Sequence, residues 1–194
     1  MNLPNKLTVL RLCLVPVIVV VLLLPVGPLT SILGAIIFLV TSFTDFLDGK
    51  IARKYGLITD FGKFLDPLAD KFMVLAAMMC IMYRSHSNPL LFNIFMWLVM
   101  ITVFRELAVA SIRLIAAKNA NIVVAANMLG KIKTVSQILC VTAALVEPEL
   151  AAIGISFFNF CPITIVSSAI TLVMTVWSGI VYIATYWKYL DKKM

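Results

Sequence analysis

Long apolar runs separated by short polar stretches dominate the chain, and their length limits what it can be. About six spans can be drawn, near residues 7–25, 29–53, 63–83, 89–117, 123–146 and 159–187. Each approaches or exceeds the roughly 20 residues that carry a helix across a bilayer core. None keeps the strict alternation of a lipid-facing barrel strand. The predicted fold is therefore an all-α integral membrane protein with about six transmembrane helices. No repeat or low-complexity tract divides it, so residues 1–194 are expected to form a single domain. Pro25-Val-Gly-Pro28 reads as a tight interhelical turn. No A-x-A-type cleavage site follows the first apolar stretch, which reads as a retained span rather than a signal peptide.

Composition agrees with this reading. Of 194 residues, 62% are hydrophobic and 13% charged, more apolar surface than a soluble domain of this size can hide. The net charge of +7 comes mostly from the polar stretches between spans. Lys6, Arg11, Lys50, Arg53, Lys54, Lys63, Lys118, Lys131 and Lys133 fall at one set of alternate ends, with Lys188, Lys192 and Lys193; Arg84, Glu147 and Glu149 fall at the other. The positive-inside rule then places both termini at the cytoplasmic face of the inner membrane. The basic excess points to orientation and to anionic lipid or phosphate, not to nucleic acid. The four cysteines are scattered without a C-x-x-C and read as small buried hydrophobes.

Against this background, Asp45, Asp48, Asp66 and Asp70 stand out. A carboxylate at the centre of a membrane helix costs roughly 2.5–3.5 kcal/mol, so four cost on the order of 10 kcal/mol if deep and less near the interface. Asp45 and Asp48 are three positions apart and Asp66 and Asp70 four, so each pair faces one direction on its helix. The second and third spans share a short loop, which lets the pairs converge on the cytoplasmic side. Four such charges repel one another unless cations balance them. Two divalent ions would do so, and oxygen-only ligands favour Mg²⁺ or Mn²⁺ over Zn²⁺. Paired metals suit phosphoryl-type displacement. Gly49 and Ala52 leave the helix surface bare for a planar or phosphate group, Gly62 has the same effect at the entry to the third span, and Arg53 offers a forked donor to phosphate oxygens. Pro67, between Asp66 and Asp70, requires either a first-turn position or a kink.

The run Asp45-Phe-Leu-Asp48-Gly49-Lys-Ile-Ala52-Arg53, eight residues, Gly62-Lys-Phe-Leu-Asp66-Pro-Leu-Ala-Asp70 resembles the signature of the CDP-alcohol phosphotransferase family, with no signature position missing. The resemblance extends over essentially the whole chain, including the start Asn2-Leu-Pro-Asn5-Lys-Leu-Thr8-Val-Leu-Arg11 and the run from Thr59 to Lys71. It implies a family-like helical bundle working as a homodimer. It also implies that Asp45, Asp48, Asp66 and Asp70 bind two metals, that Asp70 is the general base, and that Gly49, Ala52, Arg53 and Gly62 hold the CDP moiety. The implied substrates are CDP-diacylglycerol and glycerol 3-phosphate, with CMP leaving.

Glycerol 3-phosphate is a dianion, so its site should be basic. Arg105, Arg113, Lys131 and Lys133 are the candidates, and Glu106 beside Arg105 suggests an oriented inner position. Thr134 and Gln137 could add neutral hydrogen bonds. Asn5, Thr8 and Arg11 either touch the nucleotide or phosphate, or cap and anchor the first helix. Phosphatidylglycerol, inositol, inositol phosphate and serine stand as alternative acceptors. A divalent-cation transporter is the reading from another class, opposed by an acidic cluster confined to one face. His86 lies on the outer side, and Trp97, Trp177, Tyr186 and Trp187 read as lipid-facing or interfacial.

Overall fold

The computed structural model describes residues 3–24, 27–55, 60–120 and 128–190; side chains are described except at 3–5, 46–55, 60, 61, 63, 64, 116–120, 156 and 188–190. It comprises six long helices: α1 (Leu3–Leu23), α2 (Pro28–Tyr55), α3 (Asp60–Arg84), α4 (Pro89–Ala120), α5 (Met128–Ala152) and α6 (Pro162–Leu190). Short 3-10 turns at Ser85–Ser87 and Ser156–Phe160 precede α4 and α6. Proline opens α2, α4 and α6, where its missing N–H has no helical partner to lose. Gly27 takes φ +74° between α1 and α2, within the turn expected there.

Packing closes the helices into a ring in the order α2, α1, α3, α4, α6, α5 and back to α2, with α3 and α5 touching across it. Consecutive helices run in opposite directions, so one end of the bundle collects the starts of α1, α3 and α5 with the ends of α2, α4 and α6. The apolar core holds Ile18, Leu22, Phe38, Met73, Met78 and Phe95, each under 2% exposed. Gly34 lets α1 and α2 approach closely: a Cβ there would lie 2.3 Å from Leu22 Cδ2.

Five helices among the described residues are long and apolar enough to cross a membrane, with only 28–33% of each apolar window buried. The exposed remainder is apolar, a surface for lipid rather than water. The sequence counts α3 as a further span. Its 25 residues reach about 37 Å, but Asp60, Lys63, Asp66, Asp70 and Lys71 make its first half too charged to match the other five. Pro67 lies inside α3 beyond the first turn, which leaves the Lys63 carbonyl without its helical donor.

In α6 a stripe of Thr164, Ser168, Thr171, Thr175 and Ser178 is buried along the inner face. Thr171 Oγ1 donates to the Ser136 carbonyl of α5 at 2.9 Å, and Ser168 Oγ lies 3.3 Å from Cys140 Sγ. Cys80, Cys140 and Cys161 are buried as expected, whereas Cys13 is exposed because it falls on the outward face of α1. Trp97, Trp177 and Trp187 face outward, and His86 is exposed at the end away from the aspartates.

Candidate active site

At the end that gathers the first half of α3, a cavity of about 490 Å³ opens between α2, α3, α4, α5 and α6. Asp45 and Asp70 line it together with Lys71, Arg105, Glu106, Arg113, Lys131 and Lys133. All four basic residues expected to meet an acceptor phosphate are thus on one cavity wall. Ser178 and Tyr182 of α6 complete that wall, the latter receiving a hydrogen bond from Arg113 Nε at 3.4 Å.

Of the four aspartates singled out in the sequence, Asp45 of α2 and Asp66 and Asp70 of α3 have described side chains, and they lie at the same end of the bundle. Asp45 lies within electrostatic reach of both Asp66 and Asp70. Helix α1 braces two of them: the buried Arg11 pairs with Asp45 Oδ1, and the buried Thr8 hydroxyl donates to Asp66 Oδ1. Thr8, expected at the nucleotide, therefore contacts a predicted metal ligand. Gly62 is buried near the start of α3. The side chains at Asn5, Asp48, Gly49, Ala52 and Arg53 lie outside the described residues.

No group of three or more metal-ligating side chains is assembled among the described residues, a set that lacks the Asp48 side chain. The donor set present is compatible with hard cations. Asp45, Asp66 and Asp70 supply only oxygen, each carboxylate has two acceptor atoms, and neither His nor Cys lines the cavity.

Glu106 occupies the centre of the basic wall. It bonds Arg105 Nη1 at 2.9 Å, pairs with Lys71 Nζ at 3.0 Å, and accepts from Lys133 Nζ. Arg105 also donates through Nη2 to Ser178 Oγ at 3.1 Å. Its stem crosses α6 at Gly179, where a Cβ would stand 3.0 Å from Arg105 Cγ. Lys71, Ser178 and Tyr182 were not assigned from the sequence. Lys71 directly follows Asp70, and in the sequence it is visible only as part of the motif. For Ser178 a signal exists: the hydroxyl residues of α6 recur at three- and four-residue steps, marking its buried face.

The profile of the CDP-alcohol phosphatidyltransferase family matches residues 1–183. The chain belongs to this family. Among its relatives is the CDP-diacylglycerol--glycerol-3-phosphate 3-phosphatidyltransferase of Bacillus subtilis strain 168, 40% identical over 96% of either chain. The protein of the same name from Salmonella choleraesuis strain SC-B67 is 32% identical over 94% of this chain and 93% of its own. That from Rickettsia bellii is 45% identical over a shorter stretch, 46% of this chain. As a CDP-alcohol phosphatidyltransferase, the chain is an enzyme embedded in a membrane by apolar helices.

Proposed function

We propose that this enzyme transfers the phosphatidyl group of CDP-diacylglycerol to glycerol 3-phosphate, releasing CMP, in phospholipid biosynthesis. The observation that carries the proposal is the shared cavity, in which Asp45 and Asp70 meet five basic side chains: Lys71, Arg105, Arg113, Lys131 and Lys133. The names of relatives aligned over nearly the full length support the same substrates.

On this reading Asp70, at the cavity, accepts the proton of the acceptor's 1-hydroxyl. The freed oxygen forms a bond to the phosphorus beside diacylglycerol, and the bond from that phosphorus to the CMP oxygen breaks. Asp45, Asp48, Asp66 and Asp70 would hold two Mg²⁺ or Mn²⁺ ions. When bound, these ions supply charge for the attacking and departing oxygens. Gly49, Ala52, Arg53 and Gly62, with Asn5 and Thr8, would hold the CDP moiety. Arg105, Arg113, Lys131 and Lys133 receive the acceptor phosphate, for which the guanidinium forks suit bidentate bonds. The distribution of Lys and Arg supports a multi-pass orientation in the inner membrane, with this cavity and both termini facing the cytoplasm. The family resemblance supports a homodimer.

The test is purified protein with CDP-diacylglycerol, Mg²⁺ and labelled glycerol 3-phosphate. A labelled lipid and stoichiometric CMP are expected, lost on chelation by EDTA and restored by Mg²⁺ or Mn²⁺. CMP release only with phosphatidylglycerol, inositol, inositol phosphate or serine would overturn the acceptor. Metal flux into proteoliposomes without CMP would overturn the enzyme reading altogether.

A further inference from the structure

We propose that Glu106 is a positioning residue that holds Lys71, Arg105 and Lys133 as one donor array for the phosphate of the acceptor, and so sets the preference for a phosphorylated alcohol. The inference rests on the function proposed above and concerns a residue to which that function gives no role.

Three cations from three different helices, α3, α4 and α5, meet on this single carboxylate. One negative charge against three positive ones leaves a surplus of two, the charge of a phosphate monoester dianion. On the proposed reading, divalent ions balance the neighbouring aspartates and leave this surplus to the acceptor. A carboxylate serving only to tie helices together needs one partner. Here the additional cations crowd a buried site, with Lys133 only 6% exposed, and each repels the others. Arg105 adds an independent sign: its Nε is buried and has no partner among the described residues, while Nη1 and Nη2 are fixed by Glu106 and Ser178. That leaves a guanidinium with a locked plane on the lining of a cavity large enough for a small phosphate ester.

Without the Glu106 charge, the three cations lose their common anchor and spread apart by mutual repulsion. Ground-state capture of the phosphate then weakens, whereas binding of the lipid-linked nucleotide does not depend on the array. In full-length protein, Glu106→Gln should raise KM for glycerol 3-phosphate about tenfold or more, the scale of one lost charge-assisted contact. KM for CDP-diacylglycerol and kcat should stay within about twofold, since neither depends on acceptor capture. An unchanged or lowered acceptor KM, or equal rises for both substrates, would overturn the inference. If Glu106→Gln does not accumulate as a monodisperse protein, Lys71→Met provides the same split. Its side chain is 37% exposed, so its removal strands no deeply buried charge. A selective rise in acceptor KM is expected there, and none would overturn the proposal. Wild-type turnover of glycerol 3-phosphate, measured alongside, separates failure of this inference from failure of the assigned reaction.

Discussion

The two ends of the bundle treat charge in opposite ways. At the end away from the aspartates, Arg84 of α3 donates to the Leu22 carbonyl at 2.9 Å and to Thr30 Oγ1 at 3.3 Å, and it approaches Glu149 of α5 at 3.6 Å. Ser31 bridges Arg84 and Glu149. Glu147, 2% exposed, gives one oxygen to the Ile163 N–H at 2.9 Å and the other to the Thr164 N–H at 2.6 Å, capping the start of α6 from a neighbouring helix. Each charged group there meets a fixed part of the fold, Arg84 a carboxylate and a carbonyl, Glu147 two backbone N–H groups. At the opposite end one carboxylate serves three cations, an Arg105 nitrogen has no partner among the described residues, and two aspartates from different helices face a common space. Charge satisfied within the fold holds the helices together. Unmatched charge, kept at the cost of desolvation, marks where something else binds.

That contrast is broken most severely by Asp70→Asn, which removes the proposed base without changing side-chain shape. CMP release should fall by about 10²–10⁴-fold, with an unaltered size-exclusion profile. Near-normal turnover would remove Asp70 from the chemistry. At the other end, Glu147→Ala should have the reverse effect. It strands two backbone donors, at ~1–3 kcal/mol for each buried group left unpaired. The midpoint of thermal inactivation should drop by several degrees while the acceptor KM holds; a KM shift would mean that the two ends are coupled. The smallest expected effect sharpens the comparison. Gly179→Ala presses on the stem of Arg105 and displaces it by tenths of an ångström, so acceptor KM should rise about two- to fivefold through misplacement of one positioned group. No change would place Arg105 outside the acceptor site.

Much of this was legible from residue spacing. The intervals 45–48 and 66–70 predict convergent carboxylates, because helical periodicity alone brings such pairs to one face, and Asp45 and Asp70 do meet at the cavity. The clustering of Arg105, Arg113, Lys131 and Lys133 at one cavity was legible for a similar reason: they fall near the ends of successive antiparallel spans, which bring them to the same end of the bundle. Lys71 was hidden by its place in the motif, where its neighbour Asp70 carried the apparent meaning. Ser178 and Tyr182 lie about a hundred residues further on in an apolar run, and only the ring closure of α6 against α4 brings them to Arg105 and Arg113. The role of Glu106 required a third helix to be seen. Adjacency to Arg105 is visible in the chain, but the approach of Lys71 and Lys133 depends on packing. The start of α6 was set three residues early, because the backbone first makes a 3-10 turn and then takes φ +48° at Cys161 before Pro162 begins the helix.

The hydroxyl stripe of α6 acts as a key in a slot. Its bond to the Ser136 carbonyl and its contact with Cys140 fix the rotation of the helix about its own axis, in a medium that offers no water to replace them. Ser178, Gly179 and Tyr182 sit on the same rod a few residues further along. Any twist of that rod would carry all three out of alignment together, so this side of the cavity either stays in register as one piece or moves as one piece.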